Sequence, residues 1–179
     1  EYFSTNGVYS IVWPPSGVAL AALLMGGTRY WPGIFIGALA GAMMAGTAFG
    51  LSVFIALGDT LEALAALWLL SRFRDFDADL LHPKDYLLLV LAGAASGLIS
   101  GLITATALAV FGELQQAFIH TVLAECQGDA FGVALLTPLI LVWRKLPTGW
   151  LARGRVIETL LCFGLAFFAG QAIFIGWFH

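Results

Sequence analysis

Residues 86–111 read YLLLVLAGAASGLISGLITATALAVF, and this stretch decides the fold. It runs for 26 residues without a charged side chain, whereas about 20 apolar residues in a helix are enough to span the hydrocarbon core of a bilayer. Gly93, Gly97 and Gly101 recur at every fourth position inside it. This spacing lets membrane helices approach one another closely. The stretch therefore predicts a transmembrane helix that packs tightly against a neighbour.

Five further apolar stretches extend this prediction to the whole chain. In order, the six predicted membrane segments cover about residues 10–27, 31–48, 51–71, 86–111, 117–143 and 156–177. The composition agrees, since 60% of the residues are hydrophobic and only 11% are charged, too few charges to cover the surface of a soluble domain. We therefore predict an all-α, polytopic integral membrane helix bundle that forms a single domain over residues 1–179.

The first two segments are short and contain prolines. Pro14 and Pro15 lie in the first segment, and Pro32 lies at the start of the second. Proline cannot donate a backbone hydrogen bond and restricts the residue before it. We expect these segments to be tilted, partly unwound or preceded by an extended stretch.

The basic side chains indicate how the chain sits in the membrane. They are Arg29, Arg72, Arg74, Lys84, Arg144, Lys145, Arg153 and Arg155. All of them lie in or beside the connections after the first, third and fifth segments. By the positive-inside rule, the loops at 28–30, 72–85 and 144–155 are expected to be cytoplasmic, with residues 1–10 and 179 external.

Four carboxylates inside the apolar segments are the candidate functional residues. Asp59 and Glu62 are three positions apart in the third segment, and Glu125 and Asp129 are four apart in the fifth, so each pair shares a helix face. A charged carboxylate at the bilayer centre costs about 2.5–3.5 kcal/mol, and no Lys or Arg lies inside these segments. The acids are therefore expected to be protonated, hydrogen-bonded, solvated in a cavity or paired with a cation.

Two interpretations of the four acids remain open. They could be structural contacts between helices, or they could form a pocket for a proton, a cation or a cationic ligand. Acids within a membrane more often mark a functional site. We expect the third and fifth segments to be neighbours, with the four acids converging on one interior ligand-binding site.

Trp13, Pro14 and Pro15 are expected to form the mouth of this site. Carbonyls that proline leaves without a donor are tolerated in a membrane only where protein or a cavity satisfies them. Trp13 would add a flat wall with a polar tip. The alternative is that Trp13 is an interfacial tryptophan at a simple helix start.

Several classes of site are not predicted. The chain lacks the GxGxxG, P-loop, GxSxG and HExxH patterns, so no catalytic residues are assigned. It has neither a CxxC pair nor a basic patch for nucleic acid. His120, five positions before Glu125, points away from that residue on an ideal helix, and no metal site is predicted. The cofactor, if there is one, is unknown.

Four blocks of the sequence resemble the membrane-associated sensor domain family of the MASE type. They are WPPSGVALA at 13–21, RYWPGIFIGA at 29–38, GDTLEA at 58–63, and GDAFGV at 128–133 followed by LTPL at 136–139. The blocks occur in order and cover about residues 11–143. Asp59 stands where the family pattern GNTLEA has asparagine, which adds an acid to the predicted pocket.

The resemblance implies a multi-pass sensory module of the bacterial inner membrane with about eight helices. Two of them would lie outside residues 1–179, one before the first segment and one after the last. In the family, such a module precedes a cytoplasmic histidine kinase, diguanylate cyclase or phosphodiesterase, so it implies signal transduction through a two-component system or cyclic di-GMP. The module itself is not expected to be an enzyme, and its ligand is not implied.

Two other functions stay open at this point. A transporter or substrate-capture subunit would also need a buried acidic pocket, and an accessory subunit of a larger membrane complex would use the acids only as structural contacts. The expected partners are the lipid bilayer and a cytoplasmic output domain or partner protein. A homodimer and a hetero-complex are both open, and no nucleic acid is expected.

Overall fold

A computed structural model of the chain describes residues 4–5, 9–10 and 13–144. Two short strands, β1 (Ser4–Thr5) and β2 (Tyr9–Ser10), pair antiparallel ahead of the helices. Five α-helices follow: α1 (Pro14–Gly26), α2 (Trp31–Met44), α3 (Phe49–Ser71), α4 (Pro83–Val110) and α5 (Phe118–Trp143). The predicted all-α membrane bundle is confirmed. The predicted segment at 156–177 lies outside the described residues.

Three of the described helices, α3, α4 and α5, are long and apolar enough to cross a membrane. Helix α1 is apolar but has only 13 residues. This corresponds to about 20 Å, less than the roughly 30 Å of a bilayer core.

Helix α1 begins at Pro14 and not near residue 10 as predicted. Pro14 and Pro15 occupy its first turn, where the missing N–H groups would have no helical partner in any case. Of the three expected arrangements for this segment, the extended stretch is the one observed, since β2 at residues 9–10 precedes the helix.

The glycines of α4 contact α5 as the sequence predicted. A Cβ on Gly93 would meet the side chain of Val133 at 2.7 Å, and a Cβ on Gly101 would lie 2.8 Å from the carbonyl oxygen of Val122. Between them, Gly97 packs against the backbone of Cys126. The two helices therefore approach through a face that has no room for larger side chains.

Helix α1 approaches α5 just as closely. The N–H of Trp13 donates a 2.9 Å hydrogen bond to the carbonyl of Gly128, and the Thr137 hydroxyl donates to the carbonyl of Gly17 at 2.9 Å. A Cβ on Gly132 would overlap the carbonyl oxygen of Trp13. The start of α1 is therefore held against α5 by backbone contacts.

The prediction that the third and fifth segments are neighbours holds for side chains, since the carboxyl groups of Glu62 on α3 and Asp129 on α5 lie within hydrogen-bonding range, but it does not extend to close backbone packing. Helices α1 and α4 each pack against both α3 and α5, whereas the backbones of α3 and α5 do not pack closely. The glycines on α1 and α4 let these two helices come closer to α5 than α3 can, and they occupy the positions between α3 and α5. Contacts between α3 and α5 are therefore left to long side chains.

Candidate functional site

Ser16 links the two helices that carry the acids. It lies in the first turn of α1, and its hydroxyl donates a 2.7 Å hydrogen bond to Oδ1 of Asp129 on α5. The same hydroxyl lies 3.5 Å from Oε2 of Glu62 on α3. Asp129 and Glu62 are 0% and 2% exposed. A short polar side chain on α1 thus bridges the gap between α3 and α5.

Glu62 and Asp129 form a carboxyl pair. Their side chains lie within hydrogen-bonding range of each other. Oδ2 of Asp129 is buried and accepts no hydrogen bond from a hydroxyl, amide or ammonium group in the described part of the chain. Ionised carboxylates can only accept hydrogen bonds, so the pair attracts only when one member carries a proton.

Asp59 and Glu125 complete the cluster. Oδ1 of Asp59 accepts a 3.3 Å hydrogen bond from the Ser100 hydroxyl of α4. Glu125 has no hydrogen-bond partner among the described residues. The charge on Asp129 is close enough to repel both Asp59 and Glu125, and these two also repel each other. The four acids therefore lie together although their helices do not pack directly.

A cavity of about 870 Å³ opens beside this cluster. Asp59 and Glu125 line it, and so do Trp13, Pro14 and Pro15. Glu62 and Asp129 are not among the lining residues and lie behind the wall with Ser16. The structure thus brings the predicted site residues to one place, and ligand binding there stays a prediction.

Helix α2 forms a long wall of the cavity. It packs mainly on α3, and none of its residues is buried within the described part of the protein. Gly33, Gly37 and Gly41 line the cavity, and a Cβ placed on any of them would meet no atom within 4 Å. The rest of the lining is mostly apolar, including Val18, Ala22, Ile34, Ala38, Ile55 and Leu108. No Lys, Arg or His lines it among the described residues.

Three residues at the site, Ser16, Ser100 and Tyr30, are not among the residues predicted from the sequence. Ser16 lies 46 positions from Glu62 and 113 from Asp129, so only the tertiary structure joins them. The sequence feature that could have indicated Ser16 is its position directly after two prolines, in a first helical turn. Ser100 directly precedes Gly101, one of the glycines whose spacing indicates helix packing. Tyr30 also lines the cavity.

A metal centre has no support in the described residues. No group of three His, Cys, Asp or Glu side chains among them could hold a metal ion. His120 is exposed near the start of α5.

The comparisons with known proteins give the family. The family model MASE1 matches residues 2–176, almost the whole chain. No curated protein and no solved structure gives a significant match. The matched range contains all four sequence blocks and every residue of the acidic cluster. The chain therefore belongs to the MASE1 family of membrane-associated sensory domains.

Proposed function

We propose that this domain is the sensory input module of a bacterial signalling protein, and that it binds its ligand in the cavity beside the acidic cluster. The observation that carries the proposal is the cavity itself. It offers about 870 Å³, within the usual range for small-molecule sites, and its described lining contains two carboxylates and no basic side chain. The domain would regulate a cytoplasmic output domain and would not itself be an enzyme.

The cluster offers a way to couple the ligand to helix packing. Ser16, Glu62 and Asp129 belong to three different helices and hold α1 between α3 and α5. A ligand that neutralises Asp59 or Glu125 reduces the repulsion within the cluster and so changes the balance of forces between these helices. It shifts the protein toward one packing state only if it binds that state better than the other.

A contact at the other end of α5 supports transmission toward the cytoplasm. The guanidinium of Arg144, which follows α5, forms an ion pair with Asp79 in the α3–α4 loop. Both connections carry basic residues, and the positive-inside rule places them in the cytoplasm of a bacterium. A displacement of α5 relative to α3 and α4 would therefore act on this loop and on an output domain of the histidine kinase or diguanylate cyclase type.

The test uses the full-length protein and the activity of its output domain. Asp59→Asn, Glu125→Gln and Asp129→Asn remove charge with little change in volume. We expect each to alter output activity or its dependence on ligand while membrane insertion is retained. Glu113→Gln is the matched control because Glu113 is exposed in the turn between α4 and α5.

The same variants separate the proposal from its alternatives. Unchanged output in all three acid variants would mean that the acids are structural contacts, as in an accessory subunit. Movement of a solute into vesicles that contain the protein, blocked by the acid variants, would instead indicate a transporter.

A further inference from the structure

We propose that the cavity takes an amphipathic organic cation, with its ammonium group between Asp59 and Glu125 and its apolar body along α2. The inference deepens the proposed function, since it names the ligand class of that same site. It rests on three features of the cavity, namely its charge, its length and the composition of its walls.

The charge of the cavity favours a cation. Asp59 and Glu125 both line it and repel each other. Ser100 supplies one hydrogen bond to Asp59, and Glu125 has no partner in the described part of the chain. Behind them, the buried Oδ2 of Asp129 accepts no hydrogen bond from a hydroxyl, amide or ammonium group of the described residues. A cation at this position would reduce the repulsion among the acids, whereas an anion would increase it.

The length of the cavity favours an elongated ligand. The lining residues on α2 and directly after it run from Gly33 to Ala45, which corresponds to about 18 Å along a helix axis. Gly33, Gly37 and Gly41 present open space to it over this length. An alkyl chain or a narrow ring system fits along such a wall, whereas a bare metal ion would leave most of the space unfilled.

The walls fit a ligand with a charged head and an apolar body. The backbone bond from Trp13 to Gly128 fixes this tryptophan one helical turn from Glu125, and an indole ring favours an adjacent cation. Ile34 and Ile55 supply apolar surface. A neutral lipid would suit these apolar walls, but it would bring no positive charge to the two lining carboxylates.

Binding can be tested with four octyl compounds added to the full-length protein in lipid nanodiscs. Octylammonium and octyltrimethylammonium carry the positive head, octanol is neutral, and octanoate is negative. We expect only the two cations to raise the midpoint of thermal unfolding in a saturable manner. The Asp59→Asn, Glu125→Gln double variant should weaken this binding by about tenfold or more. It should fold, since the family pattern has Asn in place of Asp59.

A second variant tests the position of the apolar body. Gly37→Leu fills the space along α2, and no atom within 4 Å of the new Cβ opposes it. We expect loss of octylammonium binding with a normal unfolding midpoint. Ile36→Leu is the control on the same helix, because Ile36 is 64% exposed and does not line the cavity.

The outcomes separate this inference from the proposed function. Equal binding of octanol and octylammonium would overturn the proposal that the ligand is a cation. Binding that the double acid variant leaves unchanged would overturn it as well. If Gly37→Leu alters output while no cation binds, the sensory function stands and the ligand class fails. If the cations bind in an acid-dependent manner without any effect on output, the ligand class stands and the sensory function fails.

Discussion

The Ser16 hydroxyl donates a 2.7 Å hydrogen bond to Oδ1 of Asp129, which lies 113 positions later in the chain. Both side chains are buried, so the bond connects the first turn of α1 to the interior of α5. Apart from this bond, Glu62 and Asp129 face each other as two acids, and neither forms an ion pair within the part of the chain that the structure describes. The hydroxyl of Ser16 is therefore central to how the domain accommodates its intramembrane carboxylates.

Replacing Ser16 by alanine should destabilise the domain. The change leaves Oδ1 of a buried carboxylate without its donor, which costs about 1–3 kcal/mol. The unfolding midpoint in detergent, measured by titration with sodium dodecyl sulfate, would report the loss. Ser71→Ala is the control, since the Ser71 hydroxyl is exposed and bonds only to its own helix. Equal losses in the two variants would contradict the role given to Ser16.

Two glycine-to-alanine substitutions should have opposite consequences. Gly132→Ala places a Cβ against the carbonyl oxygen of Trp13 and should cost about 1–3 kcal/mol, as overpacking does. Gly37→Ala adds a Cβ that meets no atom and should be neutral or stabilise α2 by up to about 1 kcal/mol. Thermal unfolding of the two variants side by side would test this. A similar loss in both would mean that α2 is packed as tightly as α5.

The long helices could be predicted because local chemistry determines them. The predicted segments at 51–71, 86–111 and 117–143 differ by at most three residues at either end from α3, α4 and α5. Long, mostly apolar runs bounded by polar or charged residues specify such helices almost without tertiary information. The first helix begins four residues after the predicted start of its segment, because Pro14 and Pro15 favour the first turn of a helix.

The cavity could not be predicted from the sequence, because the glycines of α2 and those of α4 have the same spacing but different surroundings. Gly33, Gly37 and Gly41 on α2 have the same spacing as the glycines of α4. The α4 glycines are covered by α5, whereas those of α2 face open space. Which partner covers a stripe of small residues depends on the arrangement of all the helices. The same holds for the bridge from Ser16, which joins residues that are distant in the chain.

The Tyr86 hydroxyl should stabilise the domain only because Pro138 interrupts the hydrogen bonds of α5. Pro138 has no N–H for the carbonyl of Ala134, and the Tyr86 hydroxyl donates to that carbonyl at 3.4 Å. Tyr86→Phe should therefore cost about 0.5–1.5 kcal/mol. In a Pro138→Ala background, where the backbone supplies the donor, the same change should cost almost nothing. A double-mutant cycle on the unfolding midpoints would measure this coupling, and additive effects would contradict it.

Labelling of single cysteines in intact cells should test the proposed topology. Asp75 lies exposed in the α3–α4 loop and Glu113 lies exposed in the turn after α4, on opposite sides of the membrane if the basic loops are cytoplasmic. In a background with Cys126 and Cys162 replaced by alanine, a membrane-impermeant maleimide should label Glu113→Cys and not Asp75→Cys. Permeabilising the cells should then expose Asp75→Cys, which shows that the thiol is reactive. Labelling of Asp75→Cys in intact cells would reverse the orientation and place the Arg144–Asp79 contact outside the cell, where it could not act on a cytoplasmic output domain.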